Sequence, residues 1–530
     1  MHYQLADLFE ALCDANPTAE ALCAGETRLS RLELDARANR LAHYLQQQGV
    51  QTGDHVGVYA YSRAEWVETL LACWKIRATA VNINYRYVSH ELRYLWDNAD
   101  LVALVYEKSF AARVQELRKD FPSIRTYLWL EDGSEGFPAA GISYEAALAT
   151  QSSARGFAER SDDDIFLIYT GGTTGMPKGV QWRHYDFYHN VVCMNTATEK
   201  PESILQNARP VNPLRSLTLS PLMHGGGQFA VIMALLRGGV AAIPVSRSLD
   251  PEEVLAIIER EKIVLLSLIG DAMARPIAEA KLLSKRDCSS LAIISSGGAI
   301  LTEPARELLK KAFGEKIYLT GGIGGSELGS AATESGVANK TTGPRFKPNA
   351  MMAVLDENLE VITPGHKETI GYLAMKGFIP LGYYKDPIKT AAVFKTDKNG
   401  VRWVLAGDRA KVEDDGTFTL VGRDSQCINS GGEKIFVEEV ERAIALHPSV
   451  QLCAVVGVAD PKWQQRVAAV VELKPGNSLS LAELQGHCRE HIAGYKIPRE
   501  LHLADFRKTP NGKIDYLWAQ QYAREHSTNK

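Results

Sequence analysis

Apolar side chains recur at helical spacing from Leu32 to Leu45, and Gly49, Gly53 and Asp54 then break the pattern before the strand-like run His55 to Tyr59. The order helix, turn, strand follows. Apolar stretches at Glu65 to Lys75, Leu101 to Tyr106 and Val231 to Pro244 continue an alternation of helices and strands of the kind that builds largely parallel sheets. Positions up to about 420 therefore read as α/β.

From Arg402 to Val421 the pattern shortens to apolar and polar alternation, with turns at Gly407-Asp408 and Asp414-Asp415-Gly416. That is the texture of antiparallel hairpins. After Arg423 a fresh unit begins, with a helix from Val437 to Leu446, strands at Leu452 to Val458 and Val467 to Leu473, and a helix from Leu481 to His491. The expected division is a large domain over 1–423 and a small α+β domain over 424–530, joined by a short hinge.

Composition narrows the picture little. A chain of 530 residues with 45% hydrophobic positions can bury several cores. Its formal net charge of -4 gives no electrostatic reason to expect nucleic acid or an anionic membrane as partner. Cys13, Cys23, Cys73, Cys193, Cys288, Cys427, Cys453 and Cys488 are scattered without a CxxC pair or zinc-ligand spacing, which fits free thiols in a reducing cytoplasm. Met1 to Phe9 does not read as a signal peptide, and no apolar run is long enough for a transmembrane segment.

The chemistry concentrates in Thr170-Gly171-Gly172-Thr173-Thr174-Gly175-Met176-Pro177-Lys178-Gly179, directly after the apolar run Ile165 to Tyr169. Glycines present backbone N–H groups to phosphate oxygens, the hydroxyls of Thr173 and Thr174 add donors, and Lys178 adds charge. A mobile surface loop is the bland alternative. The ATPase P-loop is excluded, because Pro177 precedes Lys178 and Gly179 follows it.

This loop resembles the signature of the adenylate-forming superfamily of acyl-CoA synthetases, adenylation domains and luciferases. Further segments resemble that family in the same order: Pro221-Leu222-Met223-His224-Gly225, Ser296-Gly297-Gly298-Ala299, Ile323-Gly324-Gly325-Ser326-Glu327, Ala406-Gly407-Asp408, Gly422-Arg423 and Pro510-Asn511-Gly512-Lys513. The resemblance implies a large N-terminal domain of two α/β subdomains and a small β-barrel. It also implies a mobile C-terminal lid that rotates between adenylation and thioester formation, and a homodimer by family habit alone.

By the same resemblance, Thr170, Gly171, Gly172, Thr173, Thr174 and Lys178 bind ATP phosphates and Ser326 donates to the α-phosphate. Gly298, Ala299, Gly322 and Ile323 pack the adenine, although Ile323 stands where many relatives have Tyr. Asp408 takes the ribose hydroxyls, and Arg423 reaches ribose or phosphate. Glu327 binds Mg²⁺, as an oxygen ligand suits that hard cation, and Lys513 offsets charge in the transition state of adenylation. Asn429-Ser430-Gly431-Gly432-Glu433-Lys434 resembles the loop that meets coenzyme A, with Gly431, Gly432 and Lys434 as its binding residues. Ser425 stands at the usual hinge position in place of Asp or Lys.

In the ligase reading His224 is a catalytic candidate between the acyl carboxylate and the thiol entry, and it heads an acyl pocket in which Gly225, Gly226 and Gly227 leave space for a bulky acid. An esterase oxyanion hole is the other meaning of HGGG, but no GxSxG elbow accompanies it. Amino-acid-activating relatives carry an Asp near Phe229, and His224 to Met233 holds no acidic residue. With no carrier domain after residue 530, a free thiol such as coenzyme A is the expected acceptor. Thr170 to Arg183, Gly270 to Pro276 and Ile428 to Glu441 resemble bacterial ligases for steroid side chains and fatty acids. The expectation is an ATP-dependent acyl-CoA ligase for a hydrophobic small-molecule carboxylic acid; an adenylating enzyme with another acceptor and a nucleotide-binding pseudoenzyme remain as alternatives.

Overall fold

The helical spacing from Leu32 to Leu45 becomes the helix Arg31–Gln47 in the computed structural model, and its start is fixed by a capping box. The Ser30 side chain accepts from Glu33 N–H, and Glu33 reaches back to the Ser30 backbone. The structure describes residues 1–135, 139–171, 176–195, 200–209, 212–298, 301, 303–339, 343–365, 369–423, 427–506 and 516–527.

His55–Tyr59 is buried at every position and pairs in parallel with both Thr79–Asn82 and Leu101–Glu107. Continuous burial is what a parallel strand covered by helices on both faces requires. Thr126–Leu130 and Ile142–Ser143 complete this five-stranded sheet. The apolar stretch Val231 to Pro244 divides in two: the helix Gly225–Leu236 ends before Gly238 (φ +73°), and the strand Val240–Ile243 follows.

A second sheet has a parallel half running through Glu20–Ala24, Val240–Ile243, Arg215–Thr218, Leu265–Leu268, Ile293–Gly297 and Tyr318–Gly325. At Gly329–Asn339 the pairing turns antiparallel, and the same sheet continues through Gly343–Lys347 into the β-rich region that includes Asp408–Val412 and Phe418–Arg423. A third, three-stranded sheet joins Ile165–Thr170, Lys178–Arg183 and Gly382–Tyr383. The carboxyl ends of parallel strands from the second sheet and the end of Ile165–Thr170 face one crevice, the usual location of ligands in open α/β sheets.

The C-terminal unit has its own sheet, built on the long antiparallel pair Val450–Asp460 and Gln464–Leu473. It also has its own core, including Ile428, Ile435, Val440, Val455, Val471 and Leu484. A small second domain is thus present; residues 424–426, at the expected boundary and including Ser425, lie outside the described residues. Cys13, Cys23, Cys73, Cys288, Cys453 and Cys488 are buried thiols, behaving as small apolar side chains. Among the described residues no helix is long and apolar enough to cross a membrane.

Candidate active site

The strand Ile165–Thr170 delivers the start of the glycine-rich loop, and its antiparallel partner Lys178–Arg183 places Lys178 directly opposite Thr170. Gly172, Thr173 and Thr174 lie outside the described residues. Gly179 packs closely here: a Cβ would stand 2.9 Å from the side chains of both Leu167 and Tyr169, which would have to shift. The buried side chain of Asn82 holds this strand from beside: its Oδ1 accepts from Tyr169 N–H at 2.8 Å, and its Nδ2 donates to Tyr169 O at 2.8 Å. The same Nδ2 donates to Met223 O at 2.6 Å, so one amide ties the loop to the residue before His224.

A cavity of about 350 Å³ opens here, within the size range of small-molecule sites. Thr170 and Gly171 form one wall, and His224, Gly225 and Gly226 another. Gly298, Gly322, Ile323 and Ser326 line a third side, while Ala299 lies outside the described residues. Phe229, Ala230, Met233 and Val191 supply an apolar end. The helix starting at Gly225 thus splits its faces, with Val231, Ile232, Leu235 and Leu236 buried in the core.

Gly227 does not line the cavity, contrary to the expectation that it leaves room for the acid. A Cβ there would lie 2.5 Å from the carbonyl oxygens of Ser220 and Pro221, so close backbone approach demands this glycine. Gly225 and Gly226 do face the cavity; a Cβ on Gly225 would sit 3.3 Å from Ser326 Oγ.

Beside the cavity, Tyr383 Oη donates to Glu327 Oε1 at 2.9 Å, and Lys178 Nζ lies 5.1 Å from the centre of the Tyr383 ring. Trp182 Nε1 donates to Ser326 O at 2.9 Å. Burial, together with the neighbouring Lys389 ammonium, pushes the Lys178 pKa down to about 8. Lys178 is therefore charged below about pH 8, and a phosphate placed there would raise its pKa again. If a phosphate is held there, affinity for a phosphate-bearing ligand is expected to weaken as pH rises through about 8, with proton uptake on binding, and Lys178→Met is expected to remove that dependence. Calorimetry in buffers of different ionisation enthalpy measures both; a pH-independent affinity in the parent protein would count against a phosphate contact at Lys178.

The turn carrying Ser326 and Glu327 is braced from behind by Asn190, fully buried in the π-helical segment Tyr188–Val192. Its Oδ1 accepts from Ser330 N–H at 2.9 Å, and its Nδ2 donates to Leu328 O at 3.2 Å and Phe378 O at 2.8 Å. π-Turns inside helices recur at functional sites, where they redirect a side chain.

The second domain closes the cavity. Gly432 and Glu433 line it, together with Glu439, Tyr495 and Lys496. Glu433 Oε1 is 3.2 Å from His224 Nε2 and also pairs with Arg86. Burial works to raise the Glu433 carboxyl, but His224, Arg86 and Lys496 hold it below the ordinary value. Gly431 and Gly432 both have positive φ, and a Cβ would collide with Trp463 at 2.4 Å or Ile269 at 2.6 Å respectively. Gly431 thus packs on Trp463 rather than lining the cavity, and the Lys434 side chain lies outside the described residues.

Asp408 opens the strand Asp408–Val412, pairs with Arg423 across the hairpin and does not line the cavity. The Arg423 side chain and Lys513 lie outside the described residues. Asn82, Asn190, Tyr383, Glu433 and Lys496 were not among the sequence candidates. The signal available for the first two was an amide inside a largely apolar run, at Ala80 to Ile83 and, beside His189, at Phe187 to Val192.

Strand ends converging on a glycine-walled cavity, with a small second domain seated over its mouth, define the class. The chain belongs to the AMP-binding enzymes: that family matches residues 9–384, and the AMP-binding enzyme C-terminal domain matches residues 439–513. Among its relatives, a medium/long-chain-fatty-acid–CoA/3-oxocholest-4-en-26-oate–CoA ligase of Mycobacterium tuberculosis is 44% identical over 529 residues, covering 98% of this chain and 95% of that protein. A 3-oxocholest-4-en-26-oate–CoA ligase of Rhodococcus rhodochrous is 41% identical, covering 98% of this chain and 96% of that one. The fold is shared with the amide bond synthetase McbA from Marinactinospora thermotolerans at a TM-score of 0.82 and 23% identity, covering 98% and 99% of the two chains.

Proposed function

We propose that the protein is an ATP-dependent acyl-CoA ligase that acts on medium- to long-chain fatty acids or steroid side-chain acids. The observation that carries this reading is the cavity itself: an apolar end at Phe229 and Met233, a polar head at Thr170, His224 and Ser326, and a mouth closed by Gly432 and Glu433. The near full-length identity to ligases of such acids supports the same substrate class.

In the first half-reaction a carboxylate oxygen attacks the α-phosphorus of ATP and pyrophosphate leaves, giving the acyl-adenylate. Thr170, Gly171, Gly172, Thr173, Thr174 and Lys178 hold the phosphates, and Ser326 donates to the α-phosphate. Gly298, Ala299, Gly322 and Ile323 pack the adenine, while Asp408 and Arg423 take the ribose. Lys513 balances the negative charge that gathers as two anions meet.

Mg²⁺ suits this site on its donor chemistry. Glu327 offers carboxylate oxygen, oriented by Tyr383, next to the proposed phosphate position, and oxygen is what this hard cation takes. When bound, the ion supplies charge neutralisation of the phosphates; Glu327 holds it.

In the second half-reaction the sulfur of coenzyme A attacks the acyl carbonyl and AMP leaves. The arrangement in the structure, with Gly432 and Glu433 at the cavity, matches this step, and rotation of a lid over 424–530 would exchange it for one that brings Lys513 in. His224 and Glu433 meet across the two domains at the carboxylate end, with Gly432 beside the thiol's approach, Gly431 holding that loop against Trp463, and Lys434 the remaining candidate for the coenzyme.

AMP release from ATP with Mg²⁺ and coenzyme A, across fatty acids, aromatic acids and steroid carboxylates, tests the assignment. Coupled AMP and thioester formation on fatty or steroid acids is expected. AMP without thioester would point to another acceptor, and no turnover on any acid would overturn the ligase reading.

A further inference from the structure

Lys496 lies at the seam between the two domains with its side chain 5% exposed, and it is held by one carboxylate from each side. Its Nζ is 2.6 Å from Oε1 of Glu91, on the large-domain helix Ser89–Asn98, and 2.5 Å from Oε1 of Glu439, on the second-domain helix Val437–Ala445. The ammonium also stands 5.3 Å from the ring centre of Tyr87, in the large domain, and 5.5 Å from that of Tyr495, in the second. Its two carboxylate partners and the two rings beside it are therefore matched across the seam: acid with acid, ring with ring.

Glu91 is fixed before the second domain arrives. Its other oxygen accepts from Val88 N–H at 3.0 Å at the start of its own helix, so the carboxylate is aimed at the seam at little entropic cost. Burial works against the Lys496 ammonium, yet Glu439 and Glu91 hold its pKa above the ordinary lysine value. Burial raises Glu439, with Lys496 opposing. A cation this buried is tolerated only with its acids in place, and separation of the domains removes Glu91 from it while Glu439 travels with it.

The cluster is rigidly linked to the chemistry. Glu439 sits in the helix that directly continues the strand Glu433–Phe436, and Gly432 and Glu433 at the head of that strand line the same cavity as Lys496. Fixing Glu439 fixes the glycine loop one short strand away.

We propose that Glu91, Lys496 and Glu439 form a positioning cluster that seats the second domain for thioester formation, with Lys496 as the cation shared between a large-domain and a lid carboxylate. The cluster touches neither reacting atom; it sets where Gly432 and Glu433 stand. The proposal rests on the ligase reading, and it assigns the contact to one half-reaction alone.

The test separates the two halves in the full-length protein. Glu91→Gln keeps shape and removes charge. It is expected to slow transfer from preformed dodecanoyl-AMP to coenzyme A by about tenfold, the scale of a lost charged hydrogen bond, while dodecanoate-dependent ATP–pyrophosphate exchange stays within about twofold. Lys496→Met is expected to give the same split, because it strands both acids. Equal losses in both halves would reduce the cluster to a general structural role and overturn the proposal, as would unchanged transfer. Failure of the ligase reading itself is seen in a different place, as a parent protein that makes dodecanoyl-AMP but no dodecanoyl-CoA.

Discussion

Lys513→Ala is expected to lower acid-dependent ATP–pyrophosphate exchange by a factor of about 10²–10³, the cost of removing one preorganised charge from a transition state. ATP affinity is expected to stay within about threefold, because the lysine's proposed role arises only as the attacking carboxylate and the α-phosphate come together. Acyl transfer from a preformed adenylate to coenzyme A is expected to be close to that of the parent protein. With the Glu91→Gln protein the pattern reverses, and the two variants together dissect the reaction into its halves. Exchange unchanged in Lys513→Ala would remove this residue from the mechanism.

Asn190→Leu is expected to damage both stability and adenylation, although the side chains are similar in volume. Leucine leaves Ser330 N–H and the Leu328 and Phe378 carbonyls without the partner they have now, at about 1–3 kcal/mol for each buried group left unsatisfied. A total loss of about 3 kcal/mol is expected, read from urea unfolding of the large domain. The turn also packs tightly here: a Cβ on Gly329, which has φ +63°, would lie 2.1 Å from Asn190 Oδ1. Displacing it moves Ser326 and Glu327, and a misplacement of about 1 Å can cost about 10²-fold in rate. Wild-type exchange in a destabilised Asn190→Leu protein would show that the turn holds its shape unaided.

Local pattern made much of the fold legible. The helical spacing from Leu32 to Leu45 announces the helix Arg31–Gln47, and the strand-like run His55 to Tyr59 and the apolar stretch Leu101 to Tyr106 anticipate strands of a buried parallel sheet. The order of glycine-rich motifs gave the family, and the structure gathers Thr170, His224, Gly298, Ser326 and Gly432 around one cavity. Contacts without local periodicity were hidden. Asn190 meets Leu328 across 138 positions, and Lys496 meets Glu91 across 405, so neither residue differs from an ordinary polar position until the chain is folded. Gly227 shows the converse: a glycine beside two cavity glycines reads like them, but which way its Cα faces depends on the backbone at Ser220 and Pro221.

The single amide of Asn82 grips Tyr169 and Met223 together, and with them the neighbouring Thr170 and His224. The head of the site therefore has a fixed origin, whereas Phe229, Ala230 and Met233 stand further along the helix as the far wall. If the acid lies as proposed, acids of any length would be measured from the same zero mark, and a change in the far wall would alter how long a molecule the ruler accepts without moving the point from which it is read.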